Sequence, residues 1–196
     1  MDDILIHSED RTEHRQVTQE VLATLHHHKL FLKPEKCKFD QKEIDYLGLA
    51  ISRGHIGMDP VKVQGVTEWP VPTRLKEVQS FLGFVNFYQR FIKSFSDIAR
   101  PLHALTRKSQ TWSWGPTHQH TFETLKTAIT SAPVLTFPSD HGKFCLECDA
   151  SNVTMGTVLS QHQDDGTLHP IAFMSNAFSE VERNFHIHNI EMLALI

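Results

Sequence analysis

The sequence predicts an α+β protein, and three observations carry that reading. A first block alternates short β-type runs with one amphipathic helix. A middle block, 59–110, is helix-periodic and rich in Lys and Arg. A last block, from 139 onward, holds three strand-like runs separated by turn residues and then a helix start.

In the first block, Ile4-Leu5-Ile6 is a short β-type run behind two carboxylates, and Val17, Val21, Leu22 and Leu25 recur at the spacing of one helix face. Leu30 to Leu32 before Pro34, and Ile44 to Ile51 interrupted by Gly48, read as further strands, with Arg53-Gly54-His55-Ile56-Gly57 as a turn. Asp59-Pro60 is a helix start, an N-cap followed by a proline at the first position. Trp69-Pro70-Val71-Pro72 then forces an extended break. A second helix begins near Thr73, with Val78, Phe81, Leu82 and Val85 on one face, and Phe87, Phe91, Ile92 and Phe95 continue the apolar run.

Trp112-Ser113-Trp114-Gly115-Pro116 separates this block from a helix over 118–129, in which Phe122, Leu125 and Ile129 share a face, and Ala132-Pro133 ends it. Runs at 143–149, 155–161 and 170–174, with Asp164-Asp165-Gly166 as a turn, predict a three-stranded antiparallel meander. Ser179-x-x-Glu182 is a capping box that should open a final helix running toward Ile196. With no further strand to cover it, the meander should expose an edge and an apolar face, leaving 143–196 weakly protected.

A chain of 196 residues, 40% of them hydrophobic, suits one ordinary globular domain or two small ones. No run approaches the roughly 18 apolar residues of a membrane span, and Met1-Asp2-Asp3 lacks the pattern of a signal peptide. An intracellular protein, cytoplasmic or nuclear, with no membrane partner is therefore expected. Three cysteines fit a reducing compartment. Cys145 and Cys148 lie within a strand-like run, where positions three apart face opposite ways, so a redox or zinc pair is not expected. Nor is zinc expected at His26-His27-His28 or His186-x-His188, which lack a cysteine or carboxylate at ligand spacing.

The net charge of −4 conceals a division. Residues 62–108 carry eight basic and three acidic groups, whereas 1–61 carry eight and eleven, and 109–196 three and nine. The cationic block can follow a phosphate backbone, with Lys76, Arg90, Lys93 and Arg100 as candidate contacts; a solvated helix face would give the same count.

Four carboxylates are candidates for chemistry. Asp2 and Asp3 are adjacent charges before an apolar strand, suited to a magnesium ion between them or to a solvated N-terminus. Asp149 ends an apolar strand, where it could hold a metal ion or cap a turn. Glu191 lies beside the apolar face of a helix, where a carboxylate is costly unless paired or bound to metal, although a helix-flank glutamate is the simpler reading.

A resemblance narrows these alternatives. Met1-Asp2-Asp3-Ile4-Leu5-Ile6 resembles the second half of the aromatic-x-Asp-Asp motif of reverse transcriptases. Lys36-Cys37-Lys38-Phe39, Tyr46-Leu47-Gly48, Trp69-Pro70-x-Pro72 and the run from Phe81 to Ile92 resemble polyproteins of the Ty3/gypsy class of long-terminal-repeat retrotransposons. The likeness continues through Arg100-Pro101-Leu102, Trp112-x-Trp114, Phe122-x-x-Leu125-Lys126, Cys148-Asp149-Ala150-Ser151, Gly156-x-Val158-Leu159-Ser160-Gln161, Pro170-Ile171-Ala172-Phe173, Glu182-Arg183-Asn184-Phe185 and Glu191-Met192-Leu193-Ala194. It departs at Thr154-Met155-Gly156-Thr157, where smaller residues are expected beside the glycine, and at Gln89, where a basic residue is common.

The resemblance implies the end of a polymerase palm over 1–58, a helical thumb over 59–110, a connecting helix over 111–138, and over 139–196 the first half of a ribonuclease H-like fold. It implies Asp2 and Asp3 as polymerase metal ligands, and Asp149 and Glu191 as the first two ribonuclease H carboxylates. Magnesium or manganese is the implied cofactor. The implied partners are an RNA–DNA hybrid or template-primer duplex, with deoxynucleotides as substrates. The family's polymerase draws a further aspartate from an upstream strand, and its ribonuclease H two carboxylates from beyond residue 196. The isolated chain is therefore expected to lack both activities. The alternative is a domesticated, catalytically dead nucleic-acid-binding module.

Overall fold

A computed structural model describes residues 3–108 and 110–193. The chain forms two compact units that divide between Arg53 and Gly54. The architecture is mixed α+β with antiparallel pairing, as expected.

In the first unit, α1 (Arg11–His27) starts where the Asp10 carboxylate accepts from the amides of Thr12 and Glu13, both at 2.8 Å. It stops with Lys29 in the left-handed region (φ 58°), the Lys29 amide bonded to the His26 carbonyl and the Leu30 amide to that of Leu25. That closure explains why Leu30 to Leu32 form no strand. The Leu30 amide is used in ending the helix, and Phe31 is left 82% exposed. Ile4 to Ile6 likewise enter no ladder among the described residues.

The run from Ile44 to Ile51, interrupted at Gly48, forms a hairpin: β1 (Glu43–Tyr46) pairs with β2 (Leu49–Ser52), Tyr46 opposite Leu49. Both turn residues, Leu47 (φ 49°) and Gly48 (φ 79°), have positive φ, which matches the right-handed twist of the flanking strands. None of the described residues before Gly54 is buried.

The second unit holds the core. Its first strand, β3 (His55–Met58), pairs antiparallel with β4 (Leu135–Thr136), Ile56 opposite Leu135. Asp59 then caps α2 (Pro60–Thr67), its carboxylate accepting from the Val61 amide at 2.9 Å. The start of α3 (Leu75–Phe87) is held by Glu77, whose carboxylate accepts from the amide and hydroxyl of Thr73 and from Arg74 Nε. Those bonds, the Thr73 amide first, hold the Glu77 carboxyl below its ordinary value. A 3-10 turn, Gln89–Phe91, leads to α4 (Phe95–Leu105), and α5 (Pro116–Thr130) follows. The four helices share one core, in which Val66, Val78, Phe81, Val85, Ala99, Leu102, Phe122 and Leu125 are fully buried. The Phe81 and Phe122 rings lie 4.6 Å apart at its centre. Burying each such side chain contributes about 1.5–3 kcal/mol.

The meander is present as β5 (Phe144–Ala150), β6 (Thr154–His162) and β7 (Leu168–Ala177), in the order β5-β6-β7 with a bulge at Leu159/Ser160. Fully buried Gln161 ties the preceding loop to it, accepting from the Ser139 amide and donating to the carbonyls of Ser139 and His141, each at 2.9 Å. Gly142 (φ 93°) runs so close to the His162 carbonyl that a Cβ would overlap it. The cysteines are free, and the Thr157 hydroxyl lies 3.8 Å from Cys148 Sγ.

Ser179 and Glu182 make their reciprocal bonds, amide to carboxylate at 2.7 Å and amide to hydroxyl at 3.3 Å. These bonds, led by the Ser179 hydroxyl, hold the Glu182 carboxyl below its ordinary value. The box caps a single 3-10 turn, Glu182–Asn184, rather than the long helix expected. Phe185 turns extended (ψ 151°), and the last helix, α6 (Ile187–Leu193), starts afresh and packs on β5; residues 194–196 lie outside the described region. On the other side of the sheet's order, β7 packs against α4 and the Gln89–Phe91 turn. No described helix is long and apolar enough to cross a membrane.

Candidate functional site

Asp149 sits near the end of β5, directly across the ladder from Gly156. Two residues on, the strand gives way to a turn whose side-chain cap is Ser151: its hydroxyl accepts from the Thr154 amide at 3.0 Å and from the Val153 amide at 3.3 Å. The turn therefore does not need Asp149 as its cap. The Asp149 side chain is exposed and has no hydrogen-bond or ion-pair partner among the described residues.

Glu191 lies on α6 with its side chain 65% exposed, one oxygen 4.0 Å from His188 Nδ1, at the outer limit of an ion pair. Packing of α6 on β5 brings the helix bearing Glu191 against the strand bearing Asp149. Two exposed carboxylates free of strong protein partners are the oxygen donors a hard divalent cation takes, commonly one or two at a time with water and phosphate completing its shell. Among the described residues no three His, Cys, Asp or Glu side chains stand close enough to share an ion.

In the first unit, Asp3 is exposed, and its carbonyl oxygen lies 3.5 Å from the Tyr46 hydroxyl, which donates to it from β1. Asp2 lies outside the described residues.

The four candidate cations are all exposed. Lys76 is in the first turn of α3, Arg90 in the following 3-10 turn with its guanidinium 5.8 Å from the Phe91 ring centre, Lys93 just beyond, and Arg100 on α4. None has a carboxylate within ion-pair distance among the described residues, whereas Arg74 is held by Glu77 at 2.7 Å and Lys126 Nζ donates to the Trp69 carbonyl at 3.2 Å. The structure puts Lys76, Arg90 and Lys93 along and just after one helix and Arg100 on the next, and does not gather all four on one element.

A feature that sequence reading missed accompanies them. Lys76, Gln79, Ser80, Gly83 and Phe87 are exposed and follow each other at helical spacing along α3, opposite its buried stripe of Val78, Phe81, Leu82 and Val85. A Cβ at Gly83 would meet nothing within 4 Å, and Phe87 is 53% exposed. The signal was available: Gly83 and Phe87 fall one and two residues from core positions, about 100° and 200° around the helix.

Comparison with known proteins gives a consistent match. The family described as "Reverse transcriptase (RNA-dependent DNA polymerase)" matches residues 1–51, and "RNase H-like domain found in reverse transcriptase" matches residues 114–196. The transposon Tf2-3 and Tf2-7 polyproteins of Schizosaccharomyces pombe are each 36% identical over all of this chain, which covers 15% of either. Two solved structures of foamy viral protease-reverse transcriptase share the fold at 24% identity over 96% of this chain. One, in complex with double-stranded DNA, has a TM-score of 0.80 over 33% of its length; the other, with an RNA/DNA hybrid, 0.78 over 26%. The chain belongs to the reverse transcriptase and ribonuclease H region of Ty3/gypsy-type retrotransposon polyproteins, and it spans 15% of the length of the curated relatives it matches.

Proposed function

We propose that this segment serves RNA-directed DNA synthesis and RNA–DNA hybrid hydrolysis, and that its own share is to hold the duplex and to supply part of each carboxylate set. The observation that carries the reading is the outward face of α3. Gly83 leaves the helix backbone bare, so a nucleic-acid strand can come to van der Waals distance. Phe87 offers an aromatic surface to sugar or base edges, and Gln79 and Ser80 offer polar groups one turn before Gly83. Lys76, Arg90, Lys93 and Arg100, free of carboxylate partners among the described residues, neutralise phosphates; such contacts set affinity and register without reading sequence.

In this reading Asp149 and Glu191 present carboxylate oxygens at the hydrolytic site, and Asp2 and Asp3 do the same where deoxynucleotides are joined. A magnesium or manganese ion, when bound, supplies neutralisation of charge on the reacting phosphate. What the chain itself contributes is placement. The β5 ladder and the Ser151 turn fix Asp149, and α6, the helix that bears Glu191, packs on the same strand.

A second reading, a binding module without catalysis, draws on the lack of a third metal donor near Asp149 and Glu191 among the described residues. Incubation of a longer polyprotein segment, one that adds the family's remaining carboxylates, with an end-labelled RNA–DNA hybrid and magnesium separates the two. Cleavage by that segment which vanishes in Asp149→Asn supports the catalytic reading, binding without cleavage there supports the module, and absence of binding contradicts both.

A further inference from the structure

The helices and the three-stranded sheet of the second unit meet at a seam that the chemistry above does not use. Contacts of α4 and the Gln89–Phe91 turn with β7 hold the two surfaces together, but apolar attraction is non-directional and does not by itself fix their register. Two hydrogen bonds do. The Ser96 amide donates to Ser175 Oγ at 3.1 Å, and Ser96 Oγ donates to the Ser175 carbonyl at 2.7 Å. Ser175 is 8% exposed, so water competes little for these groups.

Two further features converge there. Ser94, which begins α4, holds a left-handed backbone (φ 53°), a conformation that costs an L-residue energy and persists only where the surroundings impose it. Its hydroxyl lies 3.7 Å from where a Cβ of Gly156 would stand, so the sheet approaches the start of α4 at a residue without a side chain. Ser175 pairs with Gly156, and Gly156 with Asp149. The three positions form one cross-strand row on one face, with about 4.8 Å between neighbouring strands. The seam grips one end of that row, and Asp149 is the other end.

We propose that the Ser96–Ser175 pair is a positioning device that fixes the spacing between the outward face of α3 and the strand carrying Asp149, and with it the length of duplex the chain spans. The functional half of this rests on the duplex-binding reading above; the mechanical half does not. Spin labels at Gln79→Cys and Glu147→Cys, with Cys37, Cys145 and Cys148 replaced by serine, report the spacing directly by electron double resonance.

The expected result is one narrow distance distribution in the parent, at least twofold broader in Ser96→Ala/Ser175→Ala at unchanged far-ultraviolet circular dichroism, and narrow again in Ser175→Thr, which keeps a hydroxyl. An equally narrow distribution in the double variant overturns the proposal. Should the double variant lose its circular dichroism signal, Ser175→Ala alone, which leaves the Ser96 hydroxyl bond intact, is read by the same criterion. On an RNA–DNA hybrid, the hydroxyl-radical footprint of the unlabelled chain should have sharp ends that turn ragged in the double variant. A parent without any footprint overturns the functional half, while the distance distributions still judge the seam.

Discussion

Asp149 faces Gly156 across the β5–β6 ladder, so the carboxylate has a neighbour with no side chain on its own face of the sheet. Exposed and unpartnered among the described residues, Asp149 contributes little to folding. Asp149→Asn should therefore leave stability within about 0.5 kcal/mol of the parent. It should also weaken the broadening of nearby amide resonances by manganese. A urea titration and a manganese titration followed by nuclear magnetic resonance check the two halves. Equal broadening in the variant would remove Asp149 as a metal ligand.

Gly83 costs α3 stability that packing does not require. Its Cβ would meet open space, so Gly83→Ala should stabilise the chain by about 1 kcal/mol, read by thermal unfolding. If α3 lies against a duplex, Gly83→Glu should instead lower hybrid affinity at least tenfold while the protein stays folded. Unchanged affinity in Gly83→Glu would take α3 out of the binding surface.

Gln161 makes its bonds to the 139–142 loop from a fully buried position. Gln161→Leu keeps the volume but strands the amide and carbonyls it served, at a cost of about 1–3 kcal/mol. Urea unfolding should show the loss, and hydrogen exchange should quicken first at Ser139. A variant as stable as the parent would mean that water replaces the side chain.

The Asp165 carboxylate accepts from the Thr167 amide and hydroxyl and from His169, each at 2.8 Å. These bonds, the amide first, hold its carboxyl down at about 2, below its ordinary 3.8. Because the folded value is the lower one, the stabilisation is complete above 3.8 and is lost as pH falls from there through about 2. Exchange of the Thr167 amide should accelerate over that window beyond the change in intrinsic rate. Thr167→Val, which removes the hydroxyl, should raise the midpoint seen in a carboxyl-carbon titration.

Local chemistry was legible in the sequence wherever one or two neighbouring residues decide the outcome. Asp59-Pro60 starts α2, the stripe from Val78 to Val85 faces the core, and Asp164 to Gly166 turns the meander. The reading failed after Lys29, a non-glycine residue that takes positive φ, because no side chain advertises that. It also failed where a valid local signal was cut short: the Ser179–Glu182 box formed its bonds, but the chain turned extended at Phe185. For the candidate site, Asp149 and Glu191 could be picked out by residue type and setting. That α6 packs on β5 is a long-range fact which periodicity does not contain. Phe87 was grouped with the core run because it is aromatic, although its spacing places it on the outer face of α3.

Equilibrium binding of the chain to an RNA–DNA hybrid across a series of salt concentrations tests the nucleic-acid reading most directly. Affinity should fall steeply with salt, and Arg90→Ala/Lys93→Ala should flatten the logarithmic slope by about two, one for each phosphate contact removed. No measurable binding, or a slope that these two substitutions leave unchanged, would contradict it.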